Sequence, residues 1–317
     1  MKTSFLLLFI LLANVAQAQI EGCRDALAKN YNPNALVNDG SCVYKNTEIK
    51  ATASYKLSDS IIETSGLITF DKLFWTHNDD HDTLLYGLDS KGKIQKKINL
   101  KGVKNIDWEE ISQDSTYLYV GDFGNNHRGN RTNLQLLRIE KKSFLANVPI
   151  IDTIAFRYEN QTDFTPQKSN TTNFDCEAFV VLQDSIYLFT KEWSTNKTSI
   201  YRLPKTPGNY LAQYKESLNV QGLITGATLS PSKKEIVLTG YTKKYTTFLY
   251  LLYDYKNTNF STGNKRKIKL KLPYHQIEGI TTQDGSIFYI TNESTVKKPI
   301  INTPQQIHKL DLKKYLK

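Results

Sequence analysis

Between Glu63 and Glu293 a short acidic or small-polar start runs into two β-like segments five times over. The starts read ETSGLI (from Glu63), DWEEI (from Asp107), DCEAF (from Asp175), TGATL (from Thr225) and IEGI (from Ile277). Each leads to a hydrophobic strand with a polar tip: FWTHND, YVGDFG, LFTKEW, VLTGYT and YITNES. A repeat of this length built from strands predicts the blades of a β-propeller, because one such unit cannot bury its hydrophobic face alone and must stack on its neighbours. A third strand follows in every unit (LLYGLD, LQLLRIE, TSIYRL, FLYLLYDY, IHKLDL), and a fourth in all but the last (KKINL, IDTIAFRY, KESLNV, KIKLKL). ATASYKLS, Ala51 to Ser58, stands ahead of the first unit with no other place. It is expected to supply the missing strand and close the ring, which removes sheet edges that invite aggregation. The expected fold is all-β, a five-bladed propeller closed by an N-terminal strand, with a sixth, degenerate blade as the alternative count.

The 317-residue chain opens MKTSFLLLFILLANVAQAQ. Lys2, the apolar run Phe5 to Leu12 and the small residues Ala16 and Ala18 predict a signal peptide over residues 1–18. The apolar run is shorter than the ~20 residues of a spanning helix, and no later segment is long and apolar enough to cross a bilayer. The expected location is secreted or periplasmic, where disulfides persist. Residues 19–46 then read as a small module, poor in large apolar residues and rich in Asn, Asp and Gly. Cys23 and Cys42 bracket it and are expected to pair, closing a segment too small for a core of its own. Cys176 reads as a buried free thiol. The main domain is 47–317. The net charge of +10 is spread over scattered lysines and the run Lys265 to Lys271, in which charge alternates with apolar residues. This reads as a strand with a solvated lysine face. An exported chain with no reader motif is not expected to bind nucleic acid.

Several motifs stand in an order that carries a family likeness: THNDD (Thr76 to Asp80), N-x-DWEEI (Asn105 to Ile111), GDFGNN with Arg128 or Arg131 after it, DCEA (Asp175 to Ala178), TKE (Thr190 to Glu192) and TGATLSPS (Thr225 to Ser232). Over roughly residues 60–295 the chain resembles a family of secreted bacterial β-propellers, of poorly defined function, with THND, DWEDI, GDIGDN…R and DxEAL at the same points. Glu110 and Asn125 stand where that pattern has Asp; the first keeps the carboxylate and the second loses it. A looser similarity runs to phytase-like and esterase-like propellers and to calcium-activated nucleotidases. That similarity implies calcium near the ring axis and hydrolysis of phosphoesters or phosphoanhydrides. The segment GCRDALAKNYNPNALVNDGSC resembles a short module common in secreted bacterial proteins. Its oxygen-rich side chains suit calcium, and the alternative is a disulfide-closed turn that needs no ion.

Aligning the five starts puts Ser65, Glu109, Glu177, Gly226 and Glu278 at one level, with Glu63, Asp107, Asp175, Ile224 and Gln276 two residues earlier on the same face. Carboxylates gathered at one axis repel, and a divalent cation relieves them. Oxygen donors favour calcium or magnesium, and no zinc-type His or Cys spacing is present. The expected metal ligands are Glu109, Glu177 and Glu278, then Glu63, Asp107 and Asp175. The competing reading is that these acids cap strands or pair with lysines. Trp108 reads as packing between blades. Strand tips add His77, Asn78, Asp79, Asp122, Asn126, Lys191, Glu192, Asn292 and Glu293, with His127, Arg128 and Arg131 on a long polar loop. His77, Asp122, Lys191 and Arg131 are the catalytic candidates, since a metal beside cations suits a phosphate or carboxylate. No serine-hydrolase elbow or phosphate-binding Gly loop is present. The sequence predicts a monomeric calcium-bearing binding or scaffolding module for a small anionic ligand or a protein partner. The alternative is a metal-dependent phosphoesterase or esterase.

Overall fold

The computed structural model describes residues 19–232, 234–299 and 301–316. Residues 1–18, where the signal peptide is expected, lie outside the described residues. At the N-terminus, β1 (Glu21–Gly22) and β2 (Val37–Asn38) pair in parallel, and β3 (Glu48–Ile49) and β4 (Ala53–Lys56) follow. The first repeat forms β5 (Thr64–Phe70), β6 (Leu73–Asn78), β7 (Leu84–Leu88) and β8 (Ile94–Asn99), an antiparallel meander. Its first hairpin turns on Asp71 and Lys72, whose φ values of 48° and 63° give the left-handed geometry that matches strand twist. The second repeat forms β9 (Trp108–Gln113), β10 (Tyr117–Asp122), β11 (Leu134–Glu140), the short helix α1 (Lys141–Leu145) and β12 (Ile151–Tyr158). The third forms β13 (Cys176–Leu182), β14 (Ser185–Thr190), β15 (Thr198–Pro204) and β16 (Gly208–Leu218). The fourth forms β17 (Leu223–Leu229), β18 (Ile236–Tyr241), β19 (Thr247–Tyr253) and β20 (Asn264–Leu270). The last begins with β21 (Ile277–Thr282) and β22 (Ile287–Asn292). It continues through a small hairpin, β23 (Thr295–Lys297) and β24 (Ile301–Thr303), to β25 (Gln306–Asp311).

The architecture is all-β and propeller-like. Strand β25 pairs on its outer side with β4, so the last sheet reads β21-β22-β25-β4. The outer strands β12 and β16 pair in parallel and join the second and third repeats into one eight-stranded sheet. The innermost strands touch in cyclic order: β5 meets β9, β9 meets β13, β13 meets β17, β17 meets β21, and β21 returns to β5. Apolar residues follow the same order. Trp75, Trp108 and Val120 pack between the first and second repeats, and Phe123, Phe156 and Phe179 between the second and third. Val180, Ile224 and Phe248 fill the next gap, and Leu251, Ile280 and Phe288 the one after. Leu57, Leu67, Tyr86 and Ile307 seal the last against the first. Each fully buried side chain of this size contributes about 1.5–3 kcal/mol, so the repeats are held face to face, with the β12–β16 pairing as an added edge-to-edge join.

Cys23 and Cys42 form the disulfide, with Cα atoms 4.8 Å apart. The module's polar side chains turn back on its own backbone: Asn30 accepts from the Val43 amide, Asn32 from Asn34 and Asp39 from Ser41. Its buried acid, Asp25, accepts from the hydroxyls of Tyr44 and Tyr253, at 2.8 and 2.5 Å, which ties the module to β19. Cys176 is a buried free thiol. The lysine face of β20 is less solvated than its alternation predicts. Lys265 reaches the Gly263 carbonyl, and Lys267 reaches the carbonyls of Val220 and Gln221, so these two lysines staple loops rather than only repel other edges.

Candidate functional site: an acidic cavity on the ring axis

Every innermost strand carries a register break near its start, at one shared position in four of the five and one residue later on β5. On β9, Trp108 faces Asp122 and Glu110 faces Gly121, which leaves Glu109 as the extra residue. The same break leaves Glu177 on β13, Thr225 on β17 and Glu278 on β21, and on β5 it falls between Ser65 and Ile68. A bulge bends its strand and re-aims a side chain, and here it turns one residue per repeat towards the axis. The hydroxyls at the level of these glutamates are consumed locally: Ser65, which still pairs with His77, donates to the Glu109 carbonyl at 2.6 Å, and Thr225 to the Ile277 carbonyl. The glutamates themselves enter a cavity. The register corrects the sequence alignment in the fourth repeat by one position: Thr225, not Gly226, stands level with the glutamates, and Leu223, not Ile224, stands two residues earlier.

The cavity is about 340 Å³, and Asp79, Glu109, Glu177, Glu278 and Glu293 line it together with Lys191, Trp193, Tyr241, Tyr245 and Gln276. Its second tier also repeats. The amides of Asp79, Lys191 and Glu293, each just past the end of a second strand, donate to the carbonyls of Glu63, Asp175 and Gln276 at 3.1, 2.7 and 3.1 Å. Three tips are thereby fixed at equivalent heights around the axis. Tyr241 occupies the same place in the fourth repeat, opposite Leu223.

Five carboxyls thus face one interior ammonium. Lys191 Nζ lies 3.0 Å from Glu177 Oε1, an ion pair not aligned as a hydrogen bond, and sits 4.9 and 5.4 Å from the ring centres of Trp193 and Tyr241. Burial opposes the ammonium's charge, but Glu177, Tyr241 and Glu278 hold its pKa well above the usual lysine value. The acids move upward. Burial, then repulsion from Glu177 and Asp107, raises Glu109. Burial raises Glu278 to about 8, with Glu293 adding to it and Lys191 opposing. Burial and Asp79 raise Glu293 to about 8, and burial, Glu63 and Asp107 raise Asp79 to about 7. Behind this ring, Asp107 hydrogen-bonds Glu109 and is raised to about 6 by burial and Asp175. Gly124 closes over that pair: a methyl group there would stand 2.3 Å from both Asp107 Cγ and Glu109 Oε1. Asp175 is spent on the Asn125 amide and the Trp193 indole N–H, both at 2.7 Å. Apart from Glu177 Oε1, which has its ion pair with Lys191, two oxygens of the cavity wall have neither a hydrogen-bond nor an ion-pair partner among the described residues, Glu278 Oε2 and Asp79 Oδ1.

The catalytic candidates scatter, apart from Lys191. His77 is fully buried, edge-on to Trp108 at 5.6 Å, and burial lowers its pKa to about 4. Asp122 is buried and accepts from Arg131 Nη2 at 2.8 Å, while Arg131 Nη1 donates to the Gly124 carbonyl at 2.7 Å. This pair holds the long polar loop and does not line the axial cavity. Glu63 lies at the rim with Asp80 and His81. Among the described residues, those three form the one group of potential ligand atoms that all lie within 4.8 Å of one another. Glu109, Glu177 and Glu278 do not meet that spacing, and Glu177 is taken up by its ion pair with Lys191.

Sequence reasoning missed Glu110. It is fully buried, and its carboxylate accepts the amides of Ile111 and Ala227 at 3.0 and 2.7 Å, with a further bond from Leu67. It reaches across to the fourth repeat and does not itself line the cavity. Gly66, at φ 63°, admits it: a methyl there would sit 2.6 Å from the Ile111 nitrogen and 2.9 Å from Glu110 Oε1.

No family model and no curated protein matches the chain. Similar solved structures include a streptogramin B lyase, at 14% identity over 82% of this chain and 72% of that one, with a TM-score of 0.38. A putative 6-phosphogluconolactonase from Bacteroides uniformis shows 13% identity, covers 80% of this chain and 74% of its own, and has a TM-score of 0.37. An exo-β-1,3-galactanase from Phanerochaete chrysosporium shows 10% identity, covers 83% and 64% respectively, and has a TM-score of 0.49. No helix among the described residues is long and apolar enough to cross a membrane.

Proposed function

We propose that this is an exported five-bladed propeller, closed by β4, that works as a binding module with its ligand in the axial cavity. The observation that carries this reading is the pair of unpartnered oxygens on Glu278 and Asp79, in a pocket whose five carboxyls outnumber its three lysines, of which only Lys191 is buried. A buried acceptor left bare costs about 1–3 kcal/mol. A ligand that brings donors or positive charge removes that cost. Calcium is the ion the reading favours, because the wall offers hard oxygen donors and no histidine or cysteine. The chemistry fits; the spacing does not preform a cage, so the glutamates would have to close in around an ion. The hydrolase alternative needs an open metal position beside a free cation, and Arg131 is committed to Asp122 and Gly124.

Calorimetric titration with calcium chloride and magnesium chloride tests the ion. Calcium is expected to bind, and Glu278→Gln to weaken binding at least tenfold, about 1.4 kcal/mol. Absence of heat with either ion, together with an unchanged melting temperature, eliminates the ion from the reading.

A further inference from the structure

The axial cavity does not end at its mouth. Thr242 and Lys243 line it and also line a neighbouring groove of about 680 Å³ between the third and fourth repeats. The groove has the opposite charge. Lys243, Lys244 and Lys269 are exposed along it, and none of their ammonium groups has an ion-pair or hydrogen-bond partner among the described residues. Lys267 is different: it is fastened to the Val220 and Gln221 carbonyls and lies 3.7 Å from the centre of the Phe248 ring. Burial, with repulsion from Lys269, lowers its pKa to about 8. The positive charge of the groove is therefore uncompensated by the protein itself.

The groove's other walls are amides and hydroxyls, among them Asn46, Asn196, Gln221 and Thr246. Such groups donate and accept alike, which suits a ligand covered in hydroxyls. Apolar side chains of a peptide would find one ring, Phe248, already covered by Lys267. Inside the cavity, Glu278 Oε2 and Asp79 Oδ1 need donors, which hydroxyls supply.

We propose that groove and cavity form one continuous site for an acidic oligosaccharide. Its carboxylate or sulfate groups lie on Lys243, Lys244 and Lys269, and the hydroxyls of an adjoining sugar reach Glu278 and Asp79. This rests on the reading of the axial cavity as a ligand site, and extends it by naming the ligand class.

The test is calorimetry on the full chain, in calcium and in chelator, with oligogalacturonate, a sulfated heparan-type oligosaccharide, neutral maltohexaose and poly-glutamate. One or both acidic saccharides are expected to bind, salt-sensitively, with the neutral one much weaker. The triple variant Lys243→Ala/Lys244→Ala/Lys269→Ala changes exposed side chains only, so it should fold. Three exposed ion pairs lost predict about a tenfold drop in affinity. Glu278→Gln should also weaken saccharide binding. If the lysine variant binds like the parent, the groove is refuted, whatever Glu278→Gln does. If the lysine variant loses binding and Glu278→Gln does not, the cavity's share in saccharide binding is refuted, while the reading of the axial cavity stands or falls on its own cation titration. Poly-glutamate binding as tightly as the saccharides refutes the ligand class.

Discussion

Glu110 and Glu278 are both buried glutamates on innermost strands, and they do opposite things. Glu110 has its oxygens met by backbone amides from three repeats, and glycine at position 66 lets the strands close around it. Glu278 stands one layer up with an oxygen that nothing in the described chain satisfies. The first is a girder and the second is an open valence. Burial alone does not separate them, and neither does an upward-shifted pKa, since both acids show one. Unmet hydrogen-bonding capacity does.

The strongest way to break this contrast is Glu110→Ala. It strands the amides of Ile111, Ala227 and Leu67, each costing about 1–3 kcal/mol, so chemical denaturation should show a loss of at least about 3 kcal/mol. A loss below about 1 kcal/mol would mean that the bonds to Glu110 do not hold the repeats together. Next is Gly66→Ala, which combines a left-handed φ with a backbone clash. A cost of about 2–3 kcal/mol is expected, and a neutral result would show that the axis is looser than described. Smallest is the response of the cavity acids to pH. Glu278 and Glu293, raised to about 8, and Asp79, raised to about 7, bind more protons folded than unfolded between pH ~4 and those values. Their contribution is complete below pH ~4 and is lost as pH rises to about 8. Without added cation, the melting temperature should therefore fall from pH 5 to pH 8.5, and Glu278→Gln should flatten the fall. A profile that rises over this range, or is identical in the variant, contradicts the acidic cavity.

Much of the strand plan can be read from alternation and from the repeated polar tips, because those patterns report which face is buried. The tier of Asp79, Lys191 and Glu293 is legible for the same reason. What cannot be read is the bulge. A regular strand sends Glu109 and Glu110 to opposite faces, and only an inserted residue brings both inward at different heights. In the fourth repeat the phase carries no acidic label, so Gly226 could be mistaken for Thr225. His77 is a catalytic candidate in the sequence only by its place at a polar strand tip. Strand pairing instead sets it opposite Ser65 and against Trp108, in a gap between sheets. Tyr241 left a signal that alignment of the tips recovers: it ends VLTGY where Lys191 ends LFTK.

The pairing of β4 with β25 joins residues some 250 positions apart, as in the bond between Ser54 and His308. β4 is therefore made some 250 residues before the strand it pairs with, and such long-range closure is slow. Until then β4 has no strand beside it, and its open edge is free to pair with another chain.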